Sequence, residues 1–273
     1  MKWVRFEREG RQGMGTLEGD SVQPVEATSL QEVIDGRGTK PAGAAFSLNG
    51  GGAKLRAPLR PGKIIAVGQN YWDHCREQNV EPSKRPILFA KFPLSVIGPD
   101  EQVRWPEDLS SQVDYEAEMA LVIGKAARSV SEDAALDYLF GYTAANDVSA
   151  RDVQFGDGQW LRGKAIDTFC PLGPTVVTRD EVPDPQNVTV KCRVNGVTLQ
   201  DSNTKEMIFP VRHLVSFISH AMTLEPGDII LTGTPHGVGV FRNPKIFLKP
   251  GDSVEVEVGN FGVLRNSIGP FLT

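Results

Sequence analysis

The sequence predicts a β-rich α+β fold in which a small N-terminal β domain precedes a larger domain. Short apolar runs bounded by glycine and proline recur along most of the chain, and each has the length of a strand rather than of a helix. The dipeptide Asn195-Gly196 joins two such runs and is the strongest short-range signal for a β-hairpin. Segments with helical signals are few. The pattern therefore indicates a sheet-rich protein with long connecting loops.

The first part of the chain is expected to form a separate small module. Residues 11–22 predict a short hairpin, and a helix over 30–35 would be capped by the preceding Thr-Ser pair. Glycines and prolines between residues 50 and 62 strongly indicate turns and loops rather than a helix or strand. These signals place a domain boundary after residue 57, with a small N-terminal domain at 1–57 and the larger domain at 58–273.

Beyond that boundary the chain is expected to be mostly strand. Each expected strand is an apolar run with turn residues at its ends. The runs cover residues 64–67, 86–92, 117–123, 142–145, 190–199 (as a hairpin), 229–232 and 253–258.

Two helices are expected in the larger domain. Ser129 and Glu132 form a capping-box pattern, which predicts a helix that runs to about Phe140 and ends at Gly141. A second helix is expected from Pro210 to about Met222.

Composition excludes several classes of function. The net charge of −5 argues against a nucleic-acid-binding surface, which needs a basic patch, and no window approaches the apolar length of a membrane span. The N-terminal residues lack the apolar core of a signal peptide. Three widely spaced cysteines form neither a disulfide framework nor a metal motif. A cytoplasmic location is therefore expected.

Three carboxylates are the strongest functional signal. Glu116 and Glu118 lie two residues apart in a predicted strand, so both side chains project from one face, and Asp147 follows the next strand. Like charges side by side are costly unless a cation lies between them. Three oxygen ligands without thiolate suit Mg²⁺ or Mn²⁺. The alternative is a solvated edge strand whose charges face water.

His74 and Glu77 form a second candidate pair. Their three-residue spacing puts both on one face of a helix, where a carboxylate raises the basicity of an imidazole and prepares it to act as a general base. The alternative is an ordinary surface pair. His213 and His220 are two turns apart on one helix and are interpreted as packing or surface residues, whereas His236 is left unassigned.

Three further segments supply groups that fit an anionic substrate. Arg151 and Gln154 follow the third carboxylate, Lys164 lies between turn residues and an aromatic residue, and a tight turn at Gly233-Thr234 offers a backbone N–H and a hydroxyl. Each segment alone is explained by a structural turn. Together with a divalent cation they would bind a small 2-oxo acid or its enolate, because such an acid chelates through two oxygens.

Five motifs occur in one order along the chain and together resemble those of the fumarylacetoacetate hydrolase superfamily, over roughly residues 64–268. They are Gly-x-Asn-Tyr-x-x-His at 68–74, Asp-x-Glu-x-Glu at 114–118, Asn-Asp-Val-Ser-Ala-Arg-Asp at 146–152, Gln-Trp-x-x-Gly-Lys at 159–164 and Leu-Thr-Gly-Thr-Pro at 231–235. The local detail is most similar to the fumarylacetoacetate hydrolase domain-containing protein 2 group.

The resemblance implies a mixed β-sandwich roll, a homodimer and a role for each matched residue. Glu116, Glu118 and Asp147 would be ligands of Mg²⁺ or Mn²⁺, His74 and Glu77 the acid/base dyad on a lid segment, and Lys164 the group that stabilises an oxyanion or enolate. The residues that would position the substrate are Lys91, Arg151, Gln154, Gly233 and Thr234.

Two reactions fit such a site, and sequence physics does not separate them. The favoured one is keto–enol tautomerisation of a 2-oxo acid, oxaloacetate, through an enolate held by the metal. The alternative is hydrolytic carbon–carbon cleavage of acylpyruvate- or fumarylpyruvate-type 1,3-diketo acids, with decarboxylation of oxaloacetate as a close relative. A more remote alternative is a binding protein that retains the fold without catalysis. That alternative predicts that at least one residue with a proposed chemical role has been replaced, but the metal ligands, the dyad and the lysine are all present.

Overall fold

The computed structural model describes residues 1–50 and 52–272. Gly51, within the predicted boundary segment, and Thr273 lie outside the described residues. The strands are β1 (Lys2–Arg8), β2 (Arg11–Glu18), β3 (Ser21–Pro24), β4 (Phe46–Ser47), β5 (Ala53–Arg56), β6 (Ile64–Gly68), β7 (Ile87–Lys91), β8 (Val96–Ile97), β9 (Gln102–Val103), β10 (Val113–Asp114), β11 (Ala117–Ile123), β12 (Leu139–Asn146), β13 (Ser149–Ala150), β14 (Cys170–Thr178), β15 (Thr189–Val194), β16 (Val197–Asn203), β17 (Ile229–Leu231), β18 (Ser253–Val258) and β19 (Val263–Ile268). The α-helices are α1 (Leu30–Ile34), α2 (Trp72–Gln78), α3 (Arg151–Asp157), α4 (Leu161–Lys164) and α5 (Val211–Ala221).

A large mixed sheet forms the centre of the molecule. Its strand order is β4-β3-β2-β1-β14-β12-β11-β17-β6-β7, with β5 paired to β1 and β8 to β14. All residues of β11 are buried. Met119 and Leu121 pack into one hydrophobic core and Ala120 and Val122 into another, because neighbouring side chains of a strand point to opposite faces. The sheet is therefore covered on both sides.

A second sheet, in the order β16-β15-β18-β19-β9, covers one of those faces. Apolar residues of β15 and β18, such as Val190 and Val256, share a core with Met119 and Leu121 of the central strand. Helix α5 adds Leu214 to the same core. Two sheets packed face to face in this way form a β-sandwich, so the predicted β-rich α+β fold is confirmed.

The N-terminal segment continues the large sheet. Strand β1 pairs with β14 through Lys2 with Val177 and Trp3 with Val176. Trp3 also shares a buried core with Ile64 of β6. Residues 1–57 are thus joined to the larger segment by hydrogen bonds and by apolar packing, and the boundary after residue 57 stays a prediction.

The helix predicted from the capping box at Ser129 is wrong. Ser129 has a φ of 52°, and its backbone N–H donates to the carbonyl of Ser219 in α5 at 2.9 Å. The carboxylate of Glu132 lies 2.8 Å from Nδ1 of His213. Both groups that would close the capping box therefore contact α5, and the segment forms only a 3₁₀ turn at Ala135–Tyr138 before β12 begins.

Other local predictions are confirmed. Asn195 and Gly196 have φ values of 50° and 78°, as a two-residue hairpin turn with two positive φ angles requires. The predicted helices over 30–35 and 210–222 correspond to α1 and α5, and Ser29 caps α1 by accepting from the N–H of Glu32. In the described part of the chain, no helix has both the length and the apolar character that a membrane crossing requires.

Candidate active site and metal centre

The pairing of β11 with β12 brings the three predicted carboxylates together. Ala117 lies opposite Asn146, so Asp147 follows directly beside Glu116, and the N–H of Asp147 donates to the carbonyl of Glu116 at 2.9 Å. One carboxylate oxygen from each of Glu116, Glu118 and Asp147 lies within 4.8 Å of the others, and all three residues are buried. The solvated-edge alternative is therefore wrong.

Two lysines neutralise part of this negative charge. The ammonium of Lys164 lies 2.8 Å from Oε2 of Glu116 and 2.8 Å from Oδ2 of Asp147. Lys91 donates to Oδ1 of Asp147 at 2.6 Å and also to the backbone carbonyls of Val148 and Lys164. Both lysines are almost fully buried, and the two charges hold Asp147 from two sides.

The third carboxylate has no such counter-charge. Oε2 of Glu118 accepts a hydrogen bond from the N–H of Gly233 at 2.7 Å, and within residues 1–50 and 52–272 it forms no ion pair. Burial raises the pKa of Glu118 well above its ordinary value, and the charges of Asp147 and Glu116 raise it further. At Glu116, by contrast, burial also raises the pKa, but the positive charges of Lys164 and Arg151 have the larger combined effect and lower its pKa to about 2.

These residues fit a hard divalent cation. The donor set consists of three carboxylate oxygens without sulfur or imidazole, which is the set that Mg²⁺ and Mn²⁺ prefer over softer metals. A cation between the three groups would also supply the positive charge that Glu118 lacks. The match rests on the close approach and burial of the carboxylates, since exposed acidic clusters are common without a metal.

Helix α2 carries the predicted dyad. Nδ1 of His74 lies 2.6 Å from Oε1 of Glu77, on the helix face expected from their spacing. The other oxygen of Glu77 accepts from the N–H of Gly237 at 2.9 Å, which fixes the carboxylate. A carboxylate beside Nδ1 holds a proton on that nitrogen and leaves Nε2 as the acceptor.

One cavity connects His74 of the dyad to Glu116 of the triad, and both residues belong to its wall. Its empty volume, counted together with the open solvent at its mouth, is about 420 Å³. The complete lining is Val67, Gly68, Gln69, His74, Gln78, Phe89, Glu116, Arg151, Gln154, Phe155, Trp160, Lys164, Thr234 and Phe241.

Arg151, which belongs to the wall of this cavity, has one unused donor group. Its Nε donates to Asp114 at 2.9 Å, and its Nη1 contacts Glu116 at 2.6 Å and Gln154 at 3.1 Å. Its Nη2 is buried and has no hydrogen-bond partner among the described residues. A buried donor without a hydrogen-bond partner lowers the stability of the protein. This nitrogen is therefore suited to donate a hydrogen bond to an oxygen of a ligand.

The other predicted substrate-binding residues occupy different positions. Gln154 and Thr234 lie on the cavity wall, and the Thr234 hydroxyl donates to the carbonyl of Ala117 at 3.0 Å. Lys91 and Gly233 are absent from the described lining and contact Asp147 and Glu118 instead. Lys91 and Gly233 therefore hold carboxylates of the triad and do not border the cavity in the described lining.

Two residues without a predicted role organise the site. Both oxygens of Asp114 accept backbone N–H groups, from Gly239 at 2.8 Å and Val240 at 3.0 Å, while Oδ2 also accepts from Arg151. Gln200 accepts from the N–H of Ala117 and donates to the Thr234 hydroxyl. Asp114 has a sequence signal, since it continues the period-two row of Glu116 and Glu118. Gln200 has none.

The remaining histidines and Cys75 lie outside this arrangement. His213 pairs with Glu132, His220 with the Ser216 carbonyl, and the exposed His236 with Asp73. Cys75 is buried, and burial raises the pKa of its thiol, which is unfavourable for a nucleophile.

Comparison with curated proteins finds close relatives. The chain is 52% identical over 217 residues to "Oxaloacetate tautomerase fahd2, mitochondrial" of Xenopus laevis, and 50% identical over 215 residues to "Oxaloacetate tautomerase FAHD2A, mitochondrial" of Homo sapiens. Each alignment covers 78% of this chain and 68% of the relative.

These names contradict the cytoplasmic location expected from the sequence, and that prediction is wrong. It rested on three cysteines that form no disulfide framework and on the lack of an apolar signal-peptide core, which is a feature of secretion signals. Mitochondrial transit peptides are amphipathic, so the lack of such a core says nothing about mitochondria.

A solved structure and a family profile agree with these relatives. The "Fumarylacetoacetate hydrolase (EaFAH) from psychrophilic Exiguobacterium antarcticum" superposes with a TM-score of 0.90 at 39% identity, covering 98% of this chain and 99% of that one. The profile described as "Fumarylacetoacetate (FAA) hydrolase C-terminal" matches residues 63–269, and "Rv2993c-like, N-terminal" matches residues 1–58. The chain belongs to the fumarylacetoacetate hydrolase family.

Proposed function

We propose that this protein is a divalent-metal-dependent enzyme that interconverts the keto and enol forms of oxaloacetate. The observation that carries the proposal is the shared cavity, whose wall contains His74 of the His74–Glu77 dyad and Glu116 of the three buried carboxylates, one of which lacks a counter-charge. Proton transfer and stabilisation of negative charge are the two requirements of enolisation, and the cavity has groups for both. The names of the vertebrate relatives support the choice of oxaloacetate.

The proposed metal ligands are Glu116, Glu118 and Asp147, and the proposed ion is Mg²⁺ or Mn²⁺. When bound, such an ion supplies a positive charge for the oxygen on which negative charge develops during enolisation. Lys164 bridges Glu116 and Asp147, and beside a cation it would be released from part of this contact. Its ammonium would then be available to the substrate oxygen.

The proposed acid/base group is His74. Its Nε2 takes a proton from C3 of the keto acid and returns a proton to the oxygen on C2, so that the enol forms with no net loss of protons. Glu77 keeps the Nδ1 proton in place throughout, because it lies 2.6 Å from that nitrogen and is itself held by Gly237. The reverse transfer converts the enol to the ketone.

Arg151 is proposed to bind a substrate carboxylate. Its unpartnered Nη2 supplies the donor, and its contacts with Asp114 and Glu116 fix the guanidinium plane. Gln154 and Thr234 border the same space and would position neighbouring oxygens. Lys91 and Gly233 support this arrangement through Asp147 and Glu118.

A second candidate is hydrolytic cleavage of acylpyruvate-type diketo acids. The specific observation in its favour is the superposition on the Exiguobacterium protein, which is named a fumarylacetoacetate hydrolase. In that reaction the dyad would activate water, and the same charges would stabilise the departing enolate.

One pair of assays separates the candidates. Purified protein with Mg²⁺ is mixed with freshly dissolved enol oxaloacetate, and the enol absorbance is followed against a protein-free sample. Acetylpyruvate is then tested for pyruvate release. Accelerated loss of the enol without pyruvate release supports the proposal. Pyruvate release from acetylpyruvate without any acceleration on oxaloacetate would replace it with the hydrolase.

A homodimer is part of the same proposal. The observation that supports it is the pair of exposed apolar side chains Phe92 and Leu94, which are 51% and 65% exposed, since neighbouring exposed apolar groups often mark an interface. Sedimentation equilibrium would test it, and a monomer mass at micromolar concentration would contradict it.

A further inference from the structure

Aromatic rings line the cavity beyond its charged floor. Phe89, Phe155, Trp160 and Phe241 all belong to the wall that also contains Glu116. Phe155 and Phe241 are 54% and 39% exposed, whereas the charged groups of the floor are buried. The charged groups therefore lie at depth, and the rings of Phe155 and Phe241 approach solvent at the mouth.

The position of Trp160 is fixed by its neighbours. A Cβ atom on Gly68 would lie 2.3 Å from Cζ3 of Trp160, so the indole ring occupies the space that any side chain at residue 68 would need. The ring also meets Phe89 edge to face, with centroids 5.4 Å apart. These contacts make the Trp160–Phe89 wall a packed surface.

The mouth offers no cation. In the lining that the structure describes, the permanently charged cations are Arg151 and Lys164, which are 3% and 2% exposed and already contact carboxylates. At the upper wall, Gln69 donates to Gln78 at 3.3 Å, and Gln78 donates to the carbonyl of His74 at 3.2 Å. Within this described lining, Nη2 of Arg151 is the guanidinium nitrogen without a partner, and it accounts for a single carboxylate.

A four-carbon dicarboxylic acid bound on the floor has no apolar substituent that could pack against these rings. We infer that the rings of Phe89, Phe155, Trp160 and Phe241 form a subsite for an apolar group on C3 of a 2-oxo acid, so that the enzyme also tautomerises arylpyruvates. This inference rests on the proposed tautomerase function, because it uses the same proton transfer from C3 to the oxygen on C2. An aryl ring in the subsite would gain aromatic contacts and would displace water from apolar surface.

Kinetic comparison of two substrates tests the subsite. With Mg²⁺ present, the protein is expected to accelerate enol–keto conversion of both oxaloacetate and phenylpyruvate. Phe155→Ala should lower the ratio of kcat/KM for phenylpyruvate over oxaloacetate by about tenfold, the scale expected for loss of one apolar contact. Met222→Ala, which removes an exposed apolar side chain outside the cavity, should leave both values unchanged.

Failure of the inference and failure of the proposed function are distinguishable. If oxaloacetate is converted but phenylpyruvate is no faster than in buffer, the inference is wrong and the tautomerase proposal stands. If neither substrate is accelerated, the tautomerase proposal fails and the inference fails with it. An unchanged substrate ratio in Phe155→Ala also overturns the subsite, provided that circular dichroism shows a folded variant.

A binding measurement tests the aromatic subsite without requiring that the enzyme turn over either compound. Oxamate and N-phenyloxamate share the same two-oxygen head group and differ by the phenyl ring. In calorimetric titrations with Mg²⁺, N-phenyloxamate should bind the wild type about tenfold more tightly than oxamate does. In Phe155→Ala, the ratio of the two dissociation constants should be closer to one. Equal dissociation constants for the two probes in the wild type would contradict the aromatic subsite.

Discussion

Oε2 of Glu118 accepts a hydrogen bond from the backbone N–H of Gly233 at 2.7 Å, whereas the neighbouring carboxylates Glu116 and Asp147 contact the ammonium of Lys164. The triad is therefore unevenly compensated. A neutral N–H dipole stabilises a buried charge less than a lysine does, so Glu118 is the member that gains most from a bound cation.

Addition of Mg²⁺ is expected to raise the thermal stability of the metal-free protein. A ligand that binds only the folded state stabilises it by about 2.7 kcal/mol at a concentration one hundred times its dissociation constant. Glu118→Gln should abolish the Mg²⁺-dependent rise in Tm but keep the Tm of the metal-free protein, because glutamine has nearly the same shape, retains an oxygen that can accept from the Gly233 N–H, and breaks no ion pair of the described residues. Differential scanning calorimetry with EDTA and with Mg²⁺ measures both effects.

Glu107→Gln is the matched control, since Glu107 is exposed and lies outside the triad. It should keep the full Mg²⁺-dependent shift. A Glu118→Gln variant that still responded to Mg²⁺ like the wild type would show that the ion binds elsewhere.

His74→Gln is expected to lower kcat for oxaloacetate tautomerisation by roughly 10²–10⁴, the usual contribution of a general acid/base group. Glu77→Gln should cost less, about 10–100-fold, because Glu77 orients the imidazole without contacting the reacting atoms. Steady-state kinetics would give both values. Glu81→Gln, at an exposed position beyond α2, is the control, and a His74→Gln variant with more than half of wild-type kcat would remove His74 from the mechanism.

Lys91→Met should destabilise the protein by about 3 kcal/mol, because it leaves Asp147 buried with one counter-charge fewer. Both side chains of this ion pair are fully buried. Urea unfolding at constant Mg²⁺ measures the loss. Lys84→Met, at an exposed position, should change the free energy of unfolding little, and an equally small effect at Lys91 would contradict the supporting role of this lysine.

The three cysteines should be unreactive in the folded protein. Cys75, Cys170 and Cys192 are buried, and burial raises the pKa of each thiol, to about 12 for Cys170. Iodoacetamide at neutral pH should label none of them in the native state and all three in guanidinium chloride, as counted by mass spectrometry. Rapid native labelling of Cys75, together with loss of activity, would contradict this expectation and indicate a nucleophilic role for that residue.

Several features follow from local sequence alone. The two-residue spacing of Glu116 and Glu118 lets their carboxylates approach each other, the Asn195-Gly196 turn forms a hairpin, and the spacing of His74 and Glu77 lets them meet on α2. Each depends on residues no more than a few positions apart, whose geometry is set by strand or helix periodicity. The capping box at Ser129 shows the limit of such signals, because contacts with α5 replace the helix it favours.

The sequence by itself thus determined the sheet-rich fold class and the residue types of the site. The tertiary structure alone decided that Asp147 lies beside Glu116, that Lys164 bridges these two carboxylates while Glu118 is left with the N–H of Gly233, and that Asp114 and Gln200 organise the surrounding loops. These contacts join residues that are distant in the chain, so they depend on strand register and on side-chain packing. Neither has a local signal, because both are set by the burial of whole sheet faces.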